Sequence, residues 1–419
     1  MSETRPQALT TIYVDTPATQ SIPTPVSGLE SSAPLIAPPA ALAQGVEPDA
    51  NSPYGLTTPE QNWSNIYWPL DARGYQLRPR YRPGWVGSWV GTKRRPESCE
   101  DSIGISPHGV VIDAVRKLDN AQVLFKLWSS QNPRDAMELP VLRYFSDPTR
   151  AKDPGNHCVP VLDTFSIEEY AGYFELLLVE PLLRDWKEPP FLIVAEALSF
   201  VLQLLEGLEY MHAHNVAHGD IHSGNILMDA SKLFPQGFHG AFNLVPARRR
   251  SEKGLKRLTR LQVPTKYQYV DFGSSVMFPS FEARSLVNFT AAAWIPPEVQ
   301  ENPETPYDPF KADIYALGLT LMDELRDRPQ LRFIIPTFDK TLSHTPDERP
   351  TASELKQQYI ALLRKIPVSE MRGKVGWASD IHVGIRERIS HWFQYLKLWR
   401  HSYKYGLPQD VMAARAASA

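Results

Sequence analysis

Cysteine is scarce in this sequence: Cys99 and Cys158 are the only two in 419 residues. A disulfide framework or a cysteine-rich metal site is therefore not expected, which fits a reducing compartment. The sequence also lacks an apolar run long enough to span a bilayer. Residues 1–6 lack the basic start and apolar core of a secretory signal. We therefore expect a protein of the cytoplasm or nucleus with no membrane partner.

An excess of charge of one sign is also absent. The formal net charge is −3, so the overall electrostatics give no reason to expect a nucleic-acid partner. Hydrophobic residues make up 42% of the chain and charged residues 22%, as in soluble globular proteins. The length is sufficient for a two-lobed domain with tails.

The N-terminal part divides into two segments by composition. Residues 1–60 are rich in Pro, Ser, Thr and Ala and show no amphipathic period, so we expect this tail to be disordered. Residues 61–99 form an extension that is rich in tryptophan, and large aromatic rings are costly to leave in water. Part of this extension is therefore expected to pack on the domain; its tryptophans are Trp63, Trp68, Trp85 and Trp89.

The pattern of the central chain predicts a strand-rich half followed by a helical half. Together these predict an α+β fold with a small β-rich lobe and a larger helical lobe. The predicted strands cover residues 110–115, 122–128, 159–165, 173–180 and 267–270, and the predicted helices cover 138–145, 191–212, 312–325 and 352–363.

Two carboxylates and an amide follow the first long helix, in the order carboxylate, amide, carboxylate. Asp220 precedes Asn225 by five residues, and Asp271 opens an Asp-Phe-Gly tripeptide further along the chain. Phosphoryl transfer from a nucleotide needs this set: one carboxylate to orient a hydroxyl, and an amide and a second carboxylate to hold magnesium. We therefore predict Asp220 and Asn225 as catalytic residues, with Asn225 and Asp271 as magnesium ligands.

Residues 100–365 resemble the eukaryotic protein kinase family, since these motifs occur in the family's order. The resemblance implies an N-lobe at about 100–180, a C-lobe at about 181–365, and a basic insertion at about 230–266. The segment from Gly104 to Gly109 and Val111 resembles the glycine-rich loop over the phosphates, with Ser106 in place of the middle glycine.

The same resemblance assigns further nucleotide-binding positions. Lys126 is similar to the phosphate-binding lysine, which also counts as catalytic, and Glu138 is similar to its glutamate partner. Pro140 is unexpected there, because proline suits only the first turn of a helix. Residues 177–182 resemble the strand that runs into the hinge, so backbone groups at Glu180 and Leu182 would read the adenine edge.

Three C-lobe motifs, those of Glu298, Asp313 and Arg349, belong to protein kinases and not to small-molecule kinases. His218 resembles the histidine that packs beneath the catalytic loop, and Asp313 resembles the aspartate that braces that loop. Glu298 and Arg349 occupy the positions of a buried ion pair that fixes the architecture.

Some positions depart from the family pattern. Gly219 replaces the arginine that grips a phosphorylated activation loop, so this switch is not expected. His222 replaces a common lysine, and this form of the loop also resembles aminoglycoside and choline kinases. Trp294 is typical of tyrosine kinases, whereas Ala291 stands where serine/threonine kinases favour threonine.

The resemblance implies transfer of the γ-phosphoryl group of ATP, with Mg2+, to a Ser/Thr or Tyr hydroxyl of a protein. The substrate and the oligomeric state are left open. A pseudokinase scaffold that binds nucleotide without transfer, and a small-molecule kinase, are the alternatives. Residues 366–419 are expected to form a helical extension packed on the domain or on a partner. The basic run at 248–257 is a solvated loop, a nuclear import signal or a docking site for an acidic partner.

Overall fold

The structure is a computed structural model that describes residues 54–105, 109–132, 136–168, 174–240, 257–376 and 385–417. Most of the predicted disordered tail therefore lies outside the described residues, as do Ser106, Trp377 and nearly all of the basic run at 248–257.

A five-stranded antiparallel sheet forms the N-terminal lobe, in the order β1-β2-β3-β5-β4. Two short helices precede it, and a third crosses between β3 and β4. The tight turn from β2 to β3 is closed by Asn120 at a φ of 57°, a conformation that asparagine tolerates better than most residues. The bounds are α1 Thr58–Asn65, α2 Tyr67–Ala72, β1 Tyr75–Leu77, β2 Val111–Arg116, β3 Ala121–Trp128, α3 Glu138–Ser146, β4 Asp163–Phe165 and β5 Leu176–Pro181.

The two faces of this sheet have different partners. One face packs on α1 and α2, where Trp63, Tyr67 and Leu70 join Phe125 in a buried cluster. Because side chains alternate along a strand, Lys126 lies on the opposite face, which is the wall of a cleft. The sheet therefore has an apolar outer face and an inner face that carries Lys126.

The C-terminal lobe is built around α4, which is buried along most of its length. A small sheet of β6, β8 and β9 lies at the cleft, and β7 pairs with β10. The bounds are β6 Arg184–Asp185, α4 Val194–Ala213, β7 Val216–Ala217, β8 Ile226–Asp229, β9 Lys266–Tyr269, β10 Val276–Met277, α5 Pro297–Glu301, α6 Pro309–Leu325, α7 Ala352–Lys365, α8 Val368–Met371, α9 Ile385–Lys404 and α10 Gln409–Ala416.

Two of the main helices begin at sequence-encoded caps. The Asp308 side chain accepts hydrogen bonds from the first N–H groups of α6. Thr351 and Glu354 form a capping box at the start of α7. Across the ranges given above, no helix combines the length and apolarity needed to cross a bilayer.

The predicted strand at 159–165 is shorter in the structure, where only Asp163–Phe165 pairs with β5. The preceding segment pairs elsewhere: the Val159 N–H donates to the carbonyl of Tyr269, and the Tyr269 N–H donates to that of His157. The apolar run therefore divides its hydrogen bonds between the two lobes, which a strand pattern alone does not reveal.

Candidate active site

Lys126 stands at the centre of the cleft. Its Nζ lies 2.6 Å from Oε1 of Glu138 and 3.0 Å from Oδ1 of Asp271. The structure thus brings together three predicted residues that are far apart in the chain. Pro140 is compatible with this pairing because it lies in the first turn of α3, where no intrahelical N–H donor is needed.

The charges of this cluster support one another. Burial alone would lower the pKa of Lys126, but the carboxylates of Glu138 and Asp271 raise it above its usual value. Burial would raise the pKa of Asp271, but nearby Lys126 brings it below the ordinary range. Both groups are therefore charged at neutral pH, and the lysine presents a fixed cation to the cleft.

Asp271 has an unusual backbone. Its φ of 63° lies in the left-handed region, which is rare for residues other than glycine. The Val270 N–H donates to the carbonyl of Asn225, which ties this turn to the catalytic loop. Strained conformations of this kind persist where the surrounding structure imposes them, and they cluster at functional sites.

The catalytic loop holds Asp220 and Asn225 side by side. Asn225 Nδ2 donates to the carbonyl of Asp220 at 3.0 Å and lies 3.4 Å from its Oδ2. With its nitrogen engaged in this way, the amide oxygen of Asn225 is the atom left for a cation. Carboxylate and amide oxygens suit Mg2+, so Asp271 and Asn225 fit the predicted ligand set.

Asp313 on α6 anchors the backbone of the catalytic loop. This carboxylate accepts hydrogen bonds from the N–H groups of His218 at 2.7 Å and Gly219 at 2.9 Å. The His218 ring lies 3.1 Å from the carbonyl of Val270 and packs on Phe272. Burial lowers the pKa of His218. The histidine is thus a packing residue, in the place that the family resemblance implied.

The predicted ion pair of the C-lobe is present. Arg349 Nη1 lies 2.8 Å from Oε1 of Glu298, and the arginine side chain is buried. His222 instead takes a local role: its Nδ1 accepts a hydrogen bond from the Gly224 N–H at 3.1 Å. The histidine that replaces the usual lysine therefore shapes the loop.

The glycines of the predicted phosphate loop require a correction. A Cβ added at Gly104 would lie 2.8 Å from the Glu60 carboxylate, and one at Gly109 would lie 2.2 Å from Pro59. The Gly109 carbonyl accepts a hydrogen bond from Trp63 Nε1. Both glycines therefore allow close packing of the N-terminal extension, a role that the phosphate-loop prediction did not include.

The reason is the length of the connection. Residues 78–110 separate β1 from β2, so a short hairpin does not join these two strands. Val111 is nevertheless close to the site, because it opens β2 directly opposite Lys126. Of the three residues predicted in this loop, the structure brings only Val111 to the lysine.

Glu180 enters the site through its side chain. It lies opposite Leu124 on β3, and its strand neighbour Leu178 lies opposite Lys126. Residues two apart on a strand share a face, so the carboxyl of Glu180 lies on the cleft side. Burial, with a further contribution from the charge of Glu138, raises its pKa to about 8.

The hinge differs from the prediction in a second respect. The Leu182 N–H donates to the carbonyl of Gln122 at 3.1 Å. This donor is therefore already engaged and is not free to read the edge of a base. The predicted role of the backbone groups at Glu180 and Leu182 in reading the adenine edge stays a prediction for their other backbone atoms.

Sequence reasoning also missed a contact at Asp220. Its Oδ1 accepts a hydrogen bond of 2.7 Å from the backbone N–H of Ala293. A backbone donor leaves no signal in side-chain identity. In this structure the segment after Ala291 therefore lies over the predicted catalytic carboxylate.

The comparisons with known proteins agree with this geometry. A family model described as "Protein kinase domain" matches residues 99–366. The chain belongs to the protein kinase family. Members of this family generally use ATP and Mg2+, in line with the carboxylate and amide oxygen atoms that Asp271 and Asn225 contribute to the cleft.

Curated relatives match parts of this kinase domain. The chain is 33% identical over 191 residues to the serine/threonine-protein kinase TAO2 of Homo sapiens, covering 39% of this chain and 12% of that protein. It is 30% identical over 159 residues to the serine/threonine-protein kinase dst2 of Dictyostelium discoideum, covering 38% and 11%. It therefore spans about a tenth of the length of these two relatives.

A solved crystal structure of the Rad53 kinase domain and SCD2 matches with a TM-score of 0.36 and 14% sequence identity. The match covers 58% of this chain and 84% of that chain. The strand order of the N-terminal sheet and the family model support the kinase fold.

Proposed function

We propose that this protein kinase transfers the γ-phosphoryl group of ATP to a serine or threonine hydroxyl of a protein. One observation carries the proposal: Lys126 joins Glu138 and Asp271 in a single ionic cluster beside the catalytic loop. Several relatives are named as serine/threonine kinases, which favours that hydroxyl type over tyrosine. We also propose that it acts in the cytoplasm or nucleus.

The chemistry relies on positioning and charge neutralisation. Bound Mg-ATP supplies the transferred group and the metal that offsets its charge. Lys126 would hold the phosphates from the sheet, and Asn225 and Asp271 would hold the metal from the opposite side. Asp220 would orient the attacking hydroxyl and accept its proton.

A substrate hydroxyl would share the Asp220 carboxylate with Ala293. The N–H of Ala293 already donates to Oδ1 of this carboxylate. We therefore propose that the segment around Ala293 shifts when substrate binds, so that the observed arrangement is a closed state of the substrate site.

The variant Asp220→Asn tests the proposal. We expect turnover to fall by about 10²–10⁴-fold, the usual cost of losing a general base, with nucleotide affinity nearly retained. Transfer from radiolabelled ATP to generic protein substrates gives the rate. Asp323→Asn, at an exposed position on α6, is the matched control. Equal turnover in Asp220→Asn would remove this residue from the mechanism.

A pseudokinase scaffold is the second candidate. Two observations favour it: the buried carboxyl of Glu180 beside Lys126, and the packing of Gly104 and Gly109 against Glu60 and Pro59 of the N-terminal extension. Magnesium-dependent nucleotide binding without any transfer of label would establish it. Label on aminoglycosides or choline, and never on protein, would instead establish a small-molecule kinase.

A further inference from the structure

The chain does not pass directly from β8 to β9. After β8 the chain returns to the N-terminal sheet at residues 233–240, and we call this segment the strap. Gln122 on β3 holds the strap at two points: Nε2 donates to the carbonyl of Phe238 at 2.6 Å, and Oε1 accepts from the Phe238 N–H at 2.9 Å. A side-chain amide thus pairs with both backbone groups of one residue, as a neighbouring strand would.

Aromatic packing and a polar contact add to this attachment. The rings of Phe234 and Phe238 are buried, and the Arg184 guanidinium lies 4.9 and 5.5 Å from their centroids. His239 Nε2 lies 2.9 Å from Oε1 of Glu100. The strap is therefore held by several independent contacts.

Glycine allows the closest approach to the sheet. A Cβ added at Gly240 would lie 2.5 Å from Cβ of Asp113, so the backbone packs directly on that residue. Asp113 lies opposite Leu124, on the same strand face as Lys126. The end of the strap therefore meets the cleft wall two residue pairs from the predicted phosphate-binding lysine.

This part of the cleft is where the base of a nucleotide would lie. If the phosphates bind at Lys126, as proposed above, the base would extend towards the crossing from β5 to β6. Leu124 of the N-terminal sheet bounds this region on the N-lobe side. Leu227 of β8 bounds this region on the C-lobe side. Its strand neighbours Ile226 and Met228 are fully buried in the C-lobe core, and side chains alternate along a strand, so Leu227 faces the cleft. The strap contacts Gln122 on β3, Asp113 on β2 and Arg184 on β6, and so it lies beside this apolar region.

We propose that the strap gates nucleotide entry, and that the contacts of Gln122 and Gly240 keep the base end of the cleft closed. This inference rests on the proposed function, whose regulation it describes. A protein with a minor open state binds with an affinity reduced by the open fraction. Losing both Gln122 hydrogen bonds is expected to raise that fraction about tenfold.

Gln122→Ala is the direct test. The dissociation constant for a fluorescent N-methylanthraniloyl-ATP with magnesium would be measured together with hydrogen exchange across the strap. We expect faster exchange at residues 233–240 and about tenfold tighter binding. Gln61→Ala, at an exposed position on α1, is the matched control and should change neither. His239→Ala, which loses the contact to Glu100 but keeps Gln122, should change both in the same direction.

Three results would overturn the gate. The first is hydrogen exchange of the strap that is unchanged in Gln122→Ala. The second is faster exchange with unchanged nucleotide affinity. The third is faster exchange with weaker nucleotide affinity, which would mean that the strap completes the nucleotide site. If wild-type binding depends on Lys126 but not on the strap, only the gate fails. If neither wild type nor Gln122→Ala binds nucleotide, the proposed function fails as well.

Discussion

The backbone conformation and packing of Gly219 leave no room for a side chain at this position. Its φ of 81° lies in the left-handed region, and an added Cβ would lie 2.2 Å from the carbonyl oxygen of Ser274. A side chain here would therefore displace the loop that carries Asp220. The sequence shows that the usual arginine is missing, whereas the structure shows that no arginine fits.

Glu180 leads to a prediction about pH. Its folded pKa of about 8 lies above the ordinary value of a glutamate in an unfolded chain. Between these values the folded protein holds a proton that the unfolded chain has lost, so the free energy of unfolding falls as pH rises. Glu180→Gln, which is neutral throughout, should match wild type near pH 5 and exceed its stability at pH 8.

Urea unfolding at the two pH values measures this difference. We expect it to reach a few kcal/mol at most, on the order set by the pKa shift. Glu304→Gln, at an exposed position, is the control and should follow the wild-type pH profile. Parallel profiles for Glu180→Gln and wild type would show that Glu180 titrates normally.

The site residues that could be predicted from the sequence are those that lie in short local motifs. Lys126, Asp220, Asn225 and Asp271 each lie in a short pattern with a chemical reason, and the structure places them around one cleft. The orientation of Glu180 depends instead on strand register across more than fifty residues. No local pattern contains that information.

At the scale of elements, α6 determines the position of the catalytic loop. Asp313 is 1% exposed and accepts hydrogen bonds from two successive backbone N–H groups of that loop and from His212. Hydrogen bonds to a buried charge are worth about 1.5–3 kcal/mol each. The carboxylate therefore links the centre of the C-lobe to the residue that would handle the substrate hydroxyl.

Asp313→Ala tests this link. We expect the free energy of unfolding to fall by about 3 kcal/mol or more, and phosphoryl transfer to fall further than stability alone explains. Chemical denaturation and a transfer assay at a temperature where the variant is folded measure the two effects. Asp323→Ala, on the exposed side of the same helix, should change little. A stable variant with full activity would show that the loop holds its shape without this brace.

Elements with strong periodicity were predictable, and those defined by distant partners were not. The predicted helix at 191–212 appears as Val194–Ala213, and that at 352–363 as Ala352–Lys365. Strand β1 was not predicted, because three residues in a tryptophan-rich segment show no clear alternation. Its pairing with β2, across 33 intervening residues, defines it as a strand.

At the scale of the whole molecule, the N-terminal extension is part of the core. Trp63 is 2% exposed and packs on Phe125 of the sheet, whereas Trp68 is 48% exposed. Trp63→Ala should lower the free energy of unfolding by about 3–5 kcal/mol, as large-to-small changes in cores do. Thermal or urea unfolding measures the loss.

Trp68→Ala is the matched control, and its effect should stay below about 1 kcal/mol. Similar small losses in both variants would mean that α1 contributes little to the fold. The comparison therefore decides whether the extension is structural or an accessory.

The family match begins at residue 99, after both helices and the first strand of the extension. An expression clone cut at that boundary would leave the backbone of β2 unpaired along one edge and would uncover the apolar side of the sheet. Edges and patches of this kind recruit other chains. Such a fragment should precipitate or form inclusion bodies, and biochemical work should begin its clones upstream of residue 58.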